Sequence, residues 1–402
     1  MSTRSYDVVI YGATGFTGKQ AAAYLAAHAP AGLRWAIAGR RREALEQVRA
    51  SIGRDVPVIV ADSETPRSVE EMVASTRVIC TTAGPYNRYG EPVVSAAAVH
   101  GTHYTDITGE TPWVRGLIDR YHAQAQASGA RIVPFCGFDS VPSDLGTWMM
   151  VDAAQRTFGA GLVEVLASFS ARGGFNGGTI ATALTMAETG LGKQIGDRRL
   201  LCPGADVPAP RDRRSVDWDP IRKRWLAPFM MSAINTRVVR RSTALYNASE
   251  APWGPLAYDE VMEMGSRAAG WGMALGLGAF DQLLRTSVGR GLIKRITPAP
   301  GEGPSEAAMD GGYIRVRLTG RTADGRQLQG LIAGPGDPGN RATVRMLMES
   351  TLALAVDEAR LAPRYGVITP AYAFGGLLVD RLRATGMTWT TAELGAEGFS
   401  LR

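Results

Sequence analysis

The sequence predicts an α/β protein, a doubly wound parallel sheet followed by a second, α+β domain. Three observations carry that expectation. Over roughly the first 150 residues, short apolar runs alternate with amphipathic stretches whose starts carry Thr, Ser or Pro, the pattern of parallel βαβ units. The first apolar run leads directly into glycines spaced Gly12-x-x-Gly15-x-x-Gly18. Beyond about residue 155 the alternation gives way to longer strand-like segments and fewer, separate helices.

The strand candidates of the first domain, residues 1–153, are Val8–Tyr11, Trp35–Ala38, Val56–Val60, Val78–Thr82, Tyr104–Ile107 and Ile132–Phe135. In the second domain, residues 154–365, Val163–Ala171 and Tyr313–Leu318 read as longer, more exposed strands, and Thr179–Thr189 and Thr343–Glu358 as helices. Residues 366–386, with Pro370 near the start, read as one amphipathic helix that folds back on the first domain.

Composition excludes several classes. The chain has 402 residues and a net charge of +6, but no dense basic stretch with interleaved aromatics, so nucleic acid is not an expected partner. Three cysteines, Cys80, Cys136 and Cys202, lie far apart with no CxxC or Cys/His spacing, which argues against a disulfide framework and against a bound metal. The N-terminus enters a strand without an export signal, which points to the cytoplasm. The weakly polar run Ala268 to Phe280 is too short to span a bilayer, and its apolar part Gly270 to Phe280 is followed by Arg285, Arg290, Lys294 and Arg295. It is either a buried helix with solvated arginines or a surface for lipid or carrier, which leaves peripheral contact with the inner face of the membrane open.

The segment Gly12-Ala13-Thr14-Gly15-Phe16-Thr17-Gly18 is the expected phosphate cradle of a Rossmann-type domain. Gly12 permits the tight turn, Gly15 lets backbone amides reach a pyrophosphate, and Gly18 lets the helix pack on the strand, with the helix N-terminus favouring the anion. After the second strand, an NAD site would place Asp or Glu against the ribose hydroxyls. This chain has Arg40 and Arg41 there. Arg40 can fork onto a 2′-phosphate and Arg41 adds charge, so the expected cofactor is NADP(H). Ala61-Asp62-Ser63, after the third strand, is expected to meet the adenine edge and Ala83-Gly84-Pro85, after the fourth, to lie under the cofactor, although Asp62 could equally cap the following helix.

The motifs GATGFTG, AGR, TTAGPYNRYGEPVVSAAAVHGTHYTDITGE and PFCGFDSVPSDLG together resemble the saccharopine dehydrogenase-like oxidoreductases. The block Ala227-Pro-Phe, the run Asn235 to Leu245 and the Gly366-Val-Ile-Thr-Pro370 ending look most like the trans-acting enoyl reductases of mycobacterial lipid synthesis. That resemblance implies an NADPH-dependent reduction of a carbon–carbon double bond in a lipid or polyketide chain held on an acyl carrier.

Such chemistry needs stabilisation of an enolate and a proton for the α-carbon. Candidates fall in two loops, His103 to Glu110 and Gly137 to Ser140, both expected to open at the cofactor edge. Tyr104 could donate the proton. Ser140 or amides near Gly137 could bind the oxyanion, with Asp106 and Asp139 orienting them. Asp139 or Ser140 could instead cap the next helix, and Glu110 could merely finish a turn. An amino-acid oxidoreductase, with Arg88, Arg172 or Arg237 gripping carboxylates, and a non-catalytic NADP- or lipid-binding protein remain as alternatives, and a homo-oligomer stays open.

Overall fold

The computed structural model describes residues 4–173, 177–220, 223–298 and 301–394. Among these, fourteen strands form two seven-stranded sheets. The first contains β1 (Tyr6–Tyr11), β2 (Trp35–Gly39), β3 (Val58–Val60), β4 (Thr76–Thr81), β5 (His103–Thr105), β6 (Arg131–Val133) and β13 (Gly366–Val367), in the order β13-β6-β5-β4-β1-β2-β3. Every pairing in it is parallel. Strand order reverses beside β1, so the carboxyl ends of β1 and β4 flank the crevice where open α/β sheets bind ligands. The inner strands β1 and β2 are apolar along most of their length because helices cover both faces.

The second sheet is mixed, with the order β14-β12-β11-β7-β10-β9-β8. Its strands are β7 (Leu162–Arg172), β8 (Asp217–Asp219), β9 (Arg224–Pro228), β10 (Ala257–Met264), β11 (Tyr313–Thr322), β12 (Gln327–Pro335) and β14 (Thr388–Glu393). Only β7 and β10 pair in parallel. In β7 and β11 the inward residues Val165, Ala167, Phe169, Ile314, Val316 and Leu318 are buried. These two strands, expected to be more exposed, are therefore half-buried, with one face under the helix Val141–Phe158. That helix leaves the end of β6 and packs on the second sheet closely enough that a Cβ on Gly146 would stand 2.8 Å from Ile332.

The chain departs from the sequence reading near its C-terminus. The helix Thr343–Val356, expected within the second domain, lies against β1, β4, β5 and the helix Phe16–His28. Its sequence TVRMLMESTLALAV is apolar or small nearly all round, as full burial requires. Residues 366–386 are not one helix. They form β13, a short helix Pro370–Phe374 and a second helix Gly376–Ala384. Pro370 lacks an N–H and so can only open a helix, and Gly375, with φ 50° and ψ −137°, breaks the run in a backbone conformation open to glycine.

An ion cluster fastens this returning segment to the N-terminal ends of the first sheet. His103 Nε2–H donates to Glu358 Oε1 at 2.8 Å while its Nδ1 accepts the Arg131 amide at 3.1 Å. Arg131 and Arg77 also reach the Glu358 carboxylate, at 3.1 and 3.2 Å. The hydrogen bond from His103, with Arg77 and Arg131 alongside, holds the Glu358 carboxyl down to about 2. Because this lies below the ordinary 4.5, its stabilisation is complete above pH 4.5 and fades as the pH falls toward 2. Glu358→Gln is expected to cost about 1–3 kcal/mol near neutral pH. In urea unfolding at a series of pH values, its deficit against the parent should shrink below pH 4.5; a deficit independent of pH would contradict this assignment.

Candidate active site at the cofactor edge

The glycine turn follows β1 as a close-packed corner. Gly12 has φ +85°, and a Cβ on it would lie 2.8 Å from the Ala83 amide nitrogen. A Cβ on Gly18 would lie 2.2 Å from the Gly12 carbonyl oxygen, so the helix Phe16–His28 meets β1 only because residue 18 has no side chain. Gly15 stands at the helix N-cap with no side chain to satisfy the first turn. The amides of Phe16, Thr17 and Gly18 therefore have no helical carbonyl to bind and suit an anion. Thr14, Phe16 and Thr17 are half-buried around the turn. Gly303, from the second domain, approaches the Phe16 ring so closely that a Cβ there would stand 2.5 Å from it. These residues fit a dinucleotide pyrophosphate.

A polar cluster stands at the ends of β1, β2 and β3, where the adenosine side of the cofactor is expected. Arg40 and Arg41 are exposed. The Tyr11 hydroxyl, raised above its usual range by burial, hydrogen-bonds with Ser63, with Asp62 and Arg40 near enough to act on its charge. Ser63 belongs to the segment expected after the third strand, whereas Tyr11 was not anticipated; the only signal was that it ends β1. Asp62 organises a turn, its Oδ1 accepting the Glu64 amide at 3.1 Å ahead of the helix Pro66–Ala74. On the other side of β1, Thr82 Oγ1 donates to the Gly12 carbonyl at 3.2 Å, which brings Ala83, Gly84 and Pro85 beside the glycine turn.

The catalytic candidates divide into framework and pocket. Tyr104 is fully buried within β5, and its hydroxyl donates to Asp106 Oδ2 at 2.6 Å. Burial carries this phenol well above its usual range. It is part of the frame and not a proton donor at the pocket surface. Asp106 Oδ1 accepts the amides of Thr108 and Phe135 at 3.0 and 3.1 Å, joining the ends of β5 and β6. Burial raises its carboxyl to about 7 against those hydrogen bonds. Glu110 accepts the amides of Tyr86 and Asn87 at 2.8 and 2.7 Å, so it ties down the segment after Pro85. His103, expected with this loop, begins β5 and faces the opposite end of the sheet.

The loop Gly137 to Ser140 is anchored to the second domain. Ser140 holds the N-cap position of the helix Val141–Phe158 without capping it. Its hydroxyl donates to Asn235 Oδ1 at 2.7 Å, so its proton is turned away from any oxyanion. Asn235 Nδ2 donates in turn to Glu260 Oε1 at 2.9 Å, while Glu260 Oε2 accepts the hydroxyls of Ser143 and Tyr258, both at 2.8 Å. Burial lifts Glu260 to about 8. The Phe138 and Ser140 amides are taken by Thr343 Oγ1 and the Phe135 carbonyl, which leaves those of Gly137 and Asp139 as the loop's candidate donors. Asp139 differs from its neighbours: its Oδ1 is buried with no hydrogen-bond partner, and burial alone raises its carboxyl to about 7.

Arg237, a candidate grip for a substrate carboxylate, is fully buried and already bidentate to Asp212 at 2.5 and 2.8 Å. The sequence did not reveal Asn235 or Glu260 as partners of the loop, since each is a lone polar residue in an otherwise ordinary helix or strand.

Two measurements test the site. Arg40→Ala should weaken NADPH binding about tenfold or more in a fluorescence titration, the loss of a charge-assisted contact, with little change for NADH; equal losses for both would remove Arg40 from the 2′-phosphate. Asp106→Ala strands two buried amides and should cost about 2–4 kcal/mol in chemical denaturation, whereas Asp106→Asn, which keeps an acceptor for them, should cost much less.

With this geometry in hand, comparison with known proteins is informative. The family described as "Saccharopine dehydrogenase NADP binding domain" matches residues 8–133. The protein Rv2449c of Mycobacterium tuberculosis is 40% identical, with 97% of this chain and 98% of that protein covered. A Mycobacterium bovis protein named "Trans-acting enoyl reductase" is 38% identical, over 97% of this chain and 99% of its own length. Among solved structures, apo saccharopine dehydrogenase (L-Glu forming) from Saccharomyces cerevisiae superposes with a TM-score of 0.53 at 12% identity, covering 96% of this chain and 99% of that one, a likeness of fold alone. An NADP(H)-binding Rossmann domain with a second mixed-sheet unit, matched over nearly its whole length, identifies an NADP-dependent oxidoreductase: the chain belongs to the trans-acting enoyl reductase family of saccharopine dehydrogenase-like proteins.

Proposed function

We propose that the protein reduces the carbon–carbon double bond of a lipid or polyketide acyl chain presented as a thioester on an acyl carrier, in the cytoplasm. The full-length likeness to a relative named for trans-acting enoyl reduction carries this reading. The cofactor, when bound, supplies hydride. Gly12, Gly15 and Gly18 with the amides of Phe16 and Thr17 would hold its pyrophosphate, Arg40 would meet its 2′-phosphate with Arg41 adding charge, and Ala83-Gly84-Pro85 would complete the pocket.

In this reading the remaining work falls to the loop after β6. The amides of Gly137 and Asp139 would stabilise the negative charge that develops on the thioester oxygen. Asp139 delivers the proton to the α-carbon. A carboxyl held near 7 by burial is still protonated in much of the population at neutral pH, and it has no competing partner on its buried oxygen. Ser140, Asn235 and Glu260 act through Asp139 as positioning residues, and Tyr104 and Asp106 fix the neighbouring strand end. In the same reading residues 1–153 and the returning 366–386 segment serve the cofactor and residues 154–365 the substrate side, except that the helix Thr343–Val356 packs on the first sheet.

The test is turnover of an enoyl thioester on an acyl carrier, with deuteride-labelled NADPH and mass spectrometry of the acyl product. Transfer of label to the acyl chain supports the reading; NADPH binding without transfer to any acyl-carrier substrate overturns it. If Asp139 is the acid, activity should fall as the pH rises through about 7. Asp139→Asn should lower kcat by about 10²–10⁴-fold and abolish that limb of the profile. An unchanged pH profile in the variant would move the proton to another group.

A further inference from the structure

The second domain carries a helical hairpin with little of the burial its composition requires. Helices Arg267–Arg285 and Ser287–Ile296 pack on each other and, along one side, on β9, yet within them only Gly270, Gly289 and Ile293 are buried. Five large apolar side chains stand out to solvent: Trp271 at 44%, Leu275 at 68%, Val288 at 83%, Leu292 at 48% and Ile296 at 71% exposure. Their spacing, i and i+4 on the first helix and i, i+4 and i+8 on the second, gives each helix one outward apolar strip. Trp218, 49% exposed, lies nearby on β8, against Trp225, over which Arg267 sits.

The charge around these strips is net positive, with Glu188 of the neighbouring helix pairing Lys294 at 2.9 Å. Arg267, Arg285, Arg290, Lys294 and Arg295 are set against a single carboxylate within the hairpin, Asp281, which is paired with Arg285 at 2.8 Å. Protruding aliphatic and tryptophan side chains ringed by cations match the acyl and phosphate layers of an anionic bilayer, where amphipathic helices lie in the plane of the interface. A second copy of the chain would bring the same positive rim against itself. No helix among the described residues is long and apolar enough to cross a membrane.

We infer that the hairpin 267–296 is a seat for an anionic phospholipid bilayer, with its apolar strips inserted among the acyl chains and its cations on the lipid phosphates. The hairpin is braced toward the cofactor edge by the helix Gly177–Glu188. Glu188 pairs with Lys294 at 2.9 Å, and Thr182 of the same helix hydrogen-bonds with Glu110. That helix is about 18 Å long. A lipid substrate would thus enter from the side of the molecule that rests on the membrane. This corollary rests on the enoyl reductase reading, whereas the seating itself does not.

The experiment is co-sedimentation of the full chain with vesicles of phosphatidylcholine alone and of phosphatidylcholine mixed with phosphatidylglycerol, with NADPH binding as the control for folding. Binding to the anionic vesicles, weakened by salt, is expected. Leu275→Ser with Val288→Ser should lower it about tenfold or more, since both strips lose their most exposed members. Lys294→Gln with Arg295→Gln should lower it about fivefold for each cation removed. Recovery of the parent protein in the supernatant with anionic vesicles overturns the inference, as does unchanged binding by the apolar variant. So does a result in which the apolar variant loses self-association in sedimentation velocity, or binding to an acidic acyl carrier protein, while vesicle binding is unaffected.

Discussion

The rest of the structure depends on how the chain turns from β6 into the helix Val141–Phe158, because that turn is where the two sheets meet. A loop at this place must bury polar groups from both units, and buried polar groups are costly unless paired. The chain meets the requirement with a continuous series of donors and acceptors from Ser140 through Asn235 to Glu260, which itself takes two hydroxyls. Asp106 does the same on the other flank, by accepting amides from the ends of two strands. Within this satisfied frame Asp139 keeps a buried oxygen without a partner, an uncompensated cost of the kind that reactive sites retain.

The first sheet is polarised end to end. At its carboxyl edge, glycines and unfilled helical amides make a surface that waits for an anion. At its amino edge, His103, Arg131 and Arg77 converge on Glu358, and the charges are spent on one another. Arginine stands at both ends, and the difference is whether its partner belongs to the chain. Arg40 is exposed beside a pocket, while Arg131 is buried against a carboxylate and the Tyr365 ring.

Much of the first domain was legible because its signals are local. A strand followed by close-set glycines and then a helix has one common solution, and the absence of acid at Arg40 carries information about the cofactor within a few residues. The second domain was less so. Apart from the hairpins β8-β9 and β11-β12 its strands pair across long sequence separations, and Glu260 looks like any polar residue in an alternating strand until Asn235, on a helix that packs against it, is brought within 2.9 Å. Tyr104 misled for the same reason: a tyrosine near a strand end suggests an open hydroxyl, yet Asp106, two residues on, closes over it. The break of the 366–386 segment at Gly375 was masked by its amphipathic period, which a short strand and two short helices can imitate.

Both sheets take their last strand from the end of the chain. β13 joins the edge of the first sheet beside β6, and β14 joins the edge of the second beside β12. A chain made from its N-terminus tends to fold domain by domain as each one emerges. Here the glycine turn and its strands leave the ribosome early, but the buried helix Thr343–Val356 that covers β4 and β5, and the strand that closes β6, come more than two hundred residues later. The cofactor-binding half therefore spends most of its synthesis with one face bare. Its completion is coupled to that of the second domain, so the two halves reach their final form together and late.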